Sequence, residues 1–247
     1  MQQTRDVTPA WVQRRVVWHS RVHDVAVQPL NASPWLSPLR RWQWQRLGAS
    51  FADLLAVPRT QAAAAFFLSD LYADRDFSAR DEGVARVVPL MSRLLPNPLL
   101  RALGEAVELG ALSHALDLRM VRALERNARA SVIDQDSYAA AYRAAGCARL
   151  RQRQIDLIVA VGQTLDHAVH KRGVDRLLRA SRMPARLAGL GDLQAFLERG
   201  FAAFRQLDGA DDFLDTIATR ERAVSRRLFG GDPQPFAALD QANSSSR

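Results

Sequence analysis

The stretch PLLRALGEAVELGALSHALDLRMVRALERN, residues 98–127, decides the fold of this chain. Its apolar residues recur at the spacing of an α-helix that buries one face. Asn97 precedes Pro98, and a capping residue followed by proline is typical of a helix start. The stretch therefore predicts a long amphipathic helix, whose buried stripe is formed by Leu99, Leu103, Ala106, Gly110, Val121 and Leu124.

Similar signals divide the rest of the chain into helices. Start signals such as Thr8-Pro9 and Ser37-Pro38 alternate with stop signals such as Gly173. No segment has the alternating pattern and hairpin turn of paired strands. The sequence thus predicts an all-α multi-helix bundle without a sheet, with helices at about 9–27, 37–57, 60–73, 79–95, 98–127, 136–146, 148–172, 174–181, 192–207 and 211–229.

Composition suggests three regions along the chain. Residues 1–33 form a basic, tryptophan-rich N-terminal helix, residues 34–230 form the helical bundle, and residues 231–247 form a disordered tail that contains three consecutive serines at 244–246. The polar residues near 127–135 mark a seam, should the bundle consist of two packed lobes.

The cysteine content and the hydropathy pattern indicate a cytoplasmic protein. Cys147 is the only cysteine, so no internal disulfide can form, as is usual in a reducing compartment. The longest apolar runs, such as residues 62–68, are much shorter than the roughly 20 residues that span a bilayer. No export signal is recognisable in the N-terminal sequence.

Basic and aromatic residues are concentrated near the N-terminus. The formal net charge is +8, and all five tryptophans lie within the first 44 residues. Such a segment could bind an anionic membrane surface or single-stranded nucleic acid. Alternatively, the tryptophans pack on the bundle while the arginines face water. The surface-binding candidates are Trp11, Arg14, Arg15, Trp18, Arg40, Arg41, Trp42 and Trp44.

Several charged residues interrupt the predicted apolar stripes. A buried carboxylate needs a cation, a proton, hydrogen-bond donors or a metal, because an unpaired buried charge costs several kcal/mol. One interpretation is a buried network of ion pairs and hydrogen bonds that fixes the helix register. Its predicted members are Asp70, Arg80, Asp81, Asp117, Asp166 and Arg220, with neighbouring histidines.

A second interpretation of the same positions is a metal centre. His114 with Asp117, and Asp166 with His170, each place a nitrogen and an oxygen on one helical face, as in helical bundles that bind iron, manganese or zinc. The Glu-x-x-His pairs of ferritin-like proteins are absent, and Glu105 is predicted to project away from the stripe. His19 and His23 form a further pair at helical spacing, without a predicted carboxylate or cysteine nearby.

The segment FFLSDLY at residues 66–72 precedes DFSARD at 76–81 and LLP at 94–96. It resembles a family of uncharacterised bacterial all-helical proteins with the pattern FFLxDLY, DFxxRD and LLP. Similarity extends to residues 105–117 and 200–229, so the resemblance covers most of residues 35–230. It implies an intracellular helical protein and implies no reaction or cofactor.

The sequence leaves three functions open. Phosphate-binding loops, dinucleotide fingerprints, HExxH helices and nucleophile elbows are absent from it. The first interpretation is a non-enzymatic protein that acts through association with a protein partner or with itself. The alternatives are a metal-dependent, oxidative enzyme and a peripheral membrane or nucleic-acid binder that uses the N-terminal arginines and tryptophans.

Overall fold

The computed structural model describes residues 8–71, 97–127, 132–187 and 191–237. Within these ranges the chain is helical and contains no β-strand, which confirms the predicted all-α multi-helix bundle. The helix predicted at 79–95 lies outside the described residues. None of the described helices is both long enough and apolar enough to cross a membrane.

Within each described range, the helices follow one another with short connections. They are α1 (Pro9–His23), α2 (Leu36–Ser50), α3 (Ala52–Ala56), α4 (Pro58–Phe66), α5 (Asn97–Arg126), α6 (Gln135–Ala145), α7 (Ala148–Val169), α8 (Val174–Ala180), α9 (Arg182–Leu187), α10 (Gly191–Leu207) and α11 (Asp211–Gly230). A 3-10 turn, Pro29–Ala32, precedes α2, and a π-helical turn, Phe67–Leu71, follows α4.

The long helix α5 is the centre of the bundle. It runs antiparallel to α7: the Ser113 hydroxyl accepts a hydrogen bond from the Gln154 amide at 2.7 Å, and the Thr164 hydroxyl donates to Glu105 at 3.1 Å. Helices α1, α2 and α6 also pack against α5. The stretch that defines the sequence pattern therefore supplies a face to most of the bundle.

Two clusters of buried apolar side chains lie along α5. The first uses its N-terminal half, from Leu99 to Leu116, together with residues of α4, α7, α10 and α11. The second uses its C-terminal end, from Leu118 to Leu124, with α6 and the end of α11. Helices α5 and α6, which flank the seam predicted near 127–135, both contribute residues to the second cluster.

Helix α1, which lies within the predicted N-terminal region 1–33, packs on the bundle. Val12 is fully buried, and the Trp11 ring lies against α5 at Gly104. The Arg15 guanidinium stacks on the Trp11 ring at 3.6 Å and pairs with Glu108. The N-terminal helix is thus fixed by ring packing and by an ion pair.

Two predicted helices end earlier than expected. Helix α1 stops at His23 because the chain turns at Asp24, whose carboxylate accepts the Ala26 N–H at 2.8 Å. The helix predicted at 37–57 is interrupted at Phe51, which leaves helical geometry (φ −121°, ψ 23°) while its ring stays buried in the core.

The chain contacts the bundle beyond the end of α11. The Phe236 ring contacts the rings of Trp42 and Tyr138, at centroid distances of 5.4 and 5.9 Å. The Gln135 side chain donates to the Pro233 carbonyl at 2.9 Å. Residues 231–237 of the predicted tail thus contact the bundle, while residues 238–247 lie outside the described part.

The close approach of α1 to α5 predicts a sharp difference between two glycines of α5. A Cβ at Gly104 would overlap the Trp11 ring, whereas a Cβ at Gly110 would meet His19 at an ordinary 3.5 Å. We expect Gly104→Ala to lower the free energy of unfolding by about 1–3 kcal/mol through overpacking. Gly110→Ala should leave it unchanged or raise it by up to ~1 kcal/mol through helix propensity. Urea unfolding of both variants measures the difference, and equal stabilities would contradict the packing of α1.

Candidate functional site

A layer of polar side chains lies between the two apolar clusters. His114, Asp117, Arg151 and Glu221 are all buried, although they carry polar or charged groups. Each sits on the inward stripe of its helix, next to residues such as Leu116 and Ile155. Burial of four such groups is costly unless partners or ligands satisfy them.

Three histidines form a stack at one end of this layer. The His23 ring lies between those of His19 and His114, with centroid distances of 4.1 and 3.8 Å. The His114 Nδ1 atom accepts a hydrogen bond from Arg40, and its Nε2–H donates to the Asn31 side-chain oxygen at 2.6 Å. Both ring nitrogens of His114 are thus occupied by the protein.

The environment of His114 keeps this imidazole neutral. Burial, followed by the charges of His23 and Arg40, lowers its pKa to about 3. A neutral ring is required by the observed contacts, because only an unprotonated Nδ1 can accept the Arg40 donor.

Asp117 links the histidine stack to the interior. Its Oδ2 lies 3.7 Å from the Arg40 guanidinium, and its Oδ1 accepts the Gln43 amide at 3.0 Å. Burial raises the pKa of Asp117, and the charge of Arg40, the Gln43 hydrogen bond and the more distant charge of Arg151 oppose the rise. One arginine therefore contacts both His114 and Asp117 across the α2–α5 interface.

Behind Asp117 the helices α2, α5, α6, α7 and α11 enclose a polar cavity of about 60 Å³. Residues of both apolar clusters meet there, including Leu47 and Ile158 of the first and Tyr138 and Leu228 of the second. Its polar lining consists of Gln43, Arg46, Ser113, Asp117, Tyr138, Tyr142, Arg151, Gln154, Glu221 and Ser225.

Two arginines line this cavity in different electrostatic situations. Arg46 forms a two-pronged ion pair with Glu221. Arg151 is only 5% exposed and contacts neutral groups: the Gln154 side-chain oxygen at 3.2 Å, the Met120 sulfur at 3.0 Å and the Tyr142 ring at 4.5 Å. Its Nε is buried without a hydrogen-bond partner, and no described carboxylate lies within ion-pair distance.

The four predicted metal ligands do not form one site. Thr164 contacts Glu105, so Asp166 lies near the level of residue 103 on α5, roughly 20 Å from Asp117 at 1.5 Å per residue. His170 is 57% exposed and its Nδ1 lies 4.0 Å from Asp166. Across the described ranges, no three His, Cys, Asp or Glu side chains form a group that could hold a metal ion.

The predicted buried network is likewise divided. Arg220 forms a two-pronged pair with the exposed Asp53, at 2.7 Å for both contacts, and this pair lowers the pKa of Asp53. Asp166 pairs only loosely with His170. Of the remaining members, Arg80 and Asp81 lie outside the described residues, as does the side chain of Asp70.

The predicted surface-binding residues separate into two groups. Trp11, Arg15, Arg40 and Trp42 pack inside the bundle, and Trp42 stacks on Tyr138 at 4.0 Å. The remaining four residues are exposed: Arg14 and Trp18 on α1, and Arg41 and Trp44 on α2.

Comparison with protein-family models matches residues 23–235 to DUF8198, a domain of unknown function. The chain belongs to the DUF8198 family. No curated protein and no solved structure matches the chain. The DUF8198 match includes every residue that lines the cavity, whereas most of α1 precedes it.

Sequence reasoning missed two central cavity residues of this DUF8198 chain, although their positions on the helices were a signal for them. Arg151 lies four residues before Ile155 on the stripe of α7, and Glu221 lies between Ile217 and Val224 on that of α11. Extending the same helical projection would have identified both. Glu105 was expected to project outward but contacts Thr164, and burial raises its pKa.

The two cavity arginines should respond differently to removal of their charge. Arg46→Met leaves Glu221 buried without its partner, which costs about 3–5 kcal/mol of unfolding free energy. Arg151→Met removes a buried cation that has no carboxylate within ion-pair distance, so it should leave the unfolding free energy unchanged or raise it. Urea unfolding in buffer without multivalent anions tests this contrast, and destabilisation of similar size in both variants would refute it.

His114 predicts acid sensitivity with a defined sign. Because its pKa is about 3 in the folded chain and near 6.5 when unfolded, protons favour the unfolded state as the pH falls below 6.5. Between pH 7 and pH 5 the unfolding free energy should drop by about 2 kcal/mol from this group. His114→Gln should lose that component, whereas His167→Gln, at an exposed position, should retain it. Urea titrations of the wild type and the two variants at both pH values measure the three changes.

Proposed function

We propose that this chain is a binding protein for a small anionic molecule, held in the polar cavity by Arg151. One observation carries the proposal: a guanidinium that is 5% exposed lines a cavity and contacts only neutral groups of the described chain. Such a cation costs several kcal/mol to bury unless a negative charge compensates it. A bound anion would supply that charge.

The charges around the cavity favour this assignment. Glu221 is engaged by Arg46, and Asp117 is engaged by Arg40. Neither carboxylate lies within ion-pair distance of Arg151. Of the two arginines that line the cavity, Arg46 is already in an ion pair. An entering anion could therefore contact Arg151 without displacing an existing ion pair.

The size and the chemistry of the lining suit a compact anion. A buried water needs roughly 10–15 Å³ on the same measure, so about 60 Å³ holds several waters or one group of similar size. The guanidinium fork matches carboxylate and phosphate oxygens. The hydroxyls of Ser113, Tyr142 and Ser225 and the Gln154 amide add donors around it. The ligand class is thus a short carboxylate or a phosphate-like group.

Sulfate is a suitable first probe because its charge is constant near neutral pH. At a concentration 100 times its dissociation constant, it should raise the unfolding free energy by about 2.7 kcal/mol. Arg151→Gln should abolish the effect, whereas Arg153→Gln, which removes a half-exposed arginine from the same helix, should preserve it. Urea unfolding at constant ionic strength, with chloride in exchange for sulfate, measures both.

Native mass spectrometry extends the same test to the physiological ligand. A small acidic molecule that copurifies with the wild type and the Arg153→Gln variant, and is missing from Arg151→Gln, supports the proposal. Equal stabilisation of all three proteins by sulfate, phosphate and short dicarboxylates would refute it, because binding would then not depend on the cavity.

A further inference from the structure

Helix α1 has two faces of different chemistry. Its inner face carries Trp11, Val12, His19 and Val22, which pack on the bundle. The outer face carries Arg14, Val17, Trp18 and Arg21, all exposed and spaced at three or four residues. A helix that is already packed on one side would need only polar residues on the other, so the outward apolar residues require an explanation.

The exposed apolar residues are concentrated at one place. Of the nine large hydrophobic residues that are exposed in the described ranges, four fall between residues 17 and 27. They are Val17 (49% exposed), Trp18 (37%), Val25 (54%) and Val27 (44%). They follow one another along the end of α1 and the turn after it. These four residues, together with Arg14 and Arg21, are called the α1 patch.

The α1 patch has a one-sided charge. Residues 9–23 contain Arg14, Arg15 and Arg21 and no acidic residue. Arg15 is neutralised by Glu108 on α5, so Arg14 and Arg21 supply the outward positive charge. Asp24 follows the helix and keeps its negative charge while its carboxylate accepts the Ala26 N–H, so Arg14 and Arg21 against Asp24 leave a net charge of +1 here. The surface therefore complements a negatively charged partner.

We infer that the α1 patch docks on an anionic lipid surface. Arginines beside outward tryptophan and aliphatic residues are typical of helices that lie in the headgroup region. Single-stranded nucleic acid fits less well, since it needs several stacking aromatic rings and the patch exposes one among three valines. A second copy of the chain would bring arginine against arginine, which opposes association.

The patch predicts modest, salt-sensitive binding. Each basic residue near an anionic surface contributes about a fivefold factor in affinity, and salt screens that contribution. The full chain should cosediment with phosphatidylcholine vesicles that contain phosphatidylserine, less so at high salt, and little with phosphatidylcholine alone. Tryptophan emission should shift to the blue on binding, since Trp18 enters a less polar environment.

The structure offers a matched pair of variants. Trp18→Ser with Arg21→Glu alters the α1 patch, and Arg41→Glu with Trp44→Ser changes the same residue types, at the same spacing, on the exposed face of α2. We expect the first variant to lose about tenfold or more in vesicle affinity. The second should bind as the wild type does. Urea unfolding checks that both remain folded.

Three results would overturn the inference. The first is a lack of preference for phosphatidylserine vesicles in the wild-type chain. The second is equal loss of binding in the two variants, which would remove the assignment to α1. The third is tighter binding to a single-stranded oligonucleotide, or self-association in analytical ultracentrifugation, that the first variant abolishes. These readouts are independent of Arg151, so they stand or fall separately from anion binding in the cavity.

Discussion

The burial of charge between two apolar clusters on one continuous helix constrains the rest of this structure. Helix α5 supplies apolar residues to both clusters, and His114 and Asp117 lie where one cluster gives way to the other. Partners for them must then come from other helices, and Arg40 reaches both residues from α2. The position of α2 on α5 is thus specified by polar contacts as much as by apolar packing.

The same constraint explains why a cavity exists at this level. Apolar side chains of two clusters interlock efficiently, whereas charged side chains must satisfy directional contacts and cannot fill space as freely. Arg46 and Glu221 satisfy each other, and Gln154 bridges Ser113 and Arg151. The space that remains is polar and next to a cation, a combination typical of binding sites.

Much of the fold was predictable from the sequence, because helix period and caps are local signals. The stripe of α5 and the Thr8-Pro9 start of α1 were identified from neighbouring residues alone. The end of α1 at Asp24 and the break at Phe51 were not, since both depend on how the chain turns onto the bundle.

The site was predictable only as single residues. The helical projection of the sequence placed His114 and Asp117 on a buried face, and both are buried in the structure. Such a projection contains no information about which helix lies opposite that face. The metal hypothesis joined pairs from α5 and α7 that the antiparallel register holds far apart. The pairing of His23 with His114, and of Arg46 with Glu221, spans long stretches of sequence and follows from tertiary packing.

The ordered C-terminal segment has a consequence for how fast the cavity could exchange its contents. Phe236 lies against Tyr138 and within 5.7 Å of the Arg46 guanidinium, and both of those residues line the cavity. A short segment outside the helices opens at a much lower free energy than the whole bundle unfolds. Release of Phe236 would loosen this side of the bundle at the cost of its ring contacts with Trp42 and Tyr138 in the second cluster. Residence time in the cavity would then be set by local opening of residues 231–237 and not by global stability.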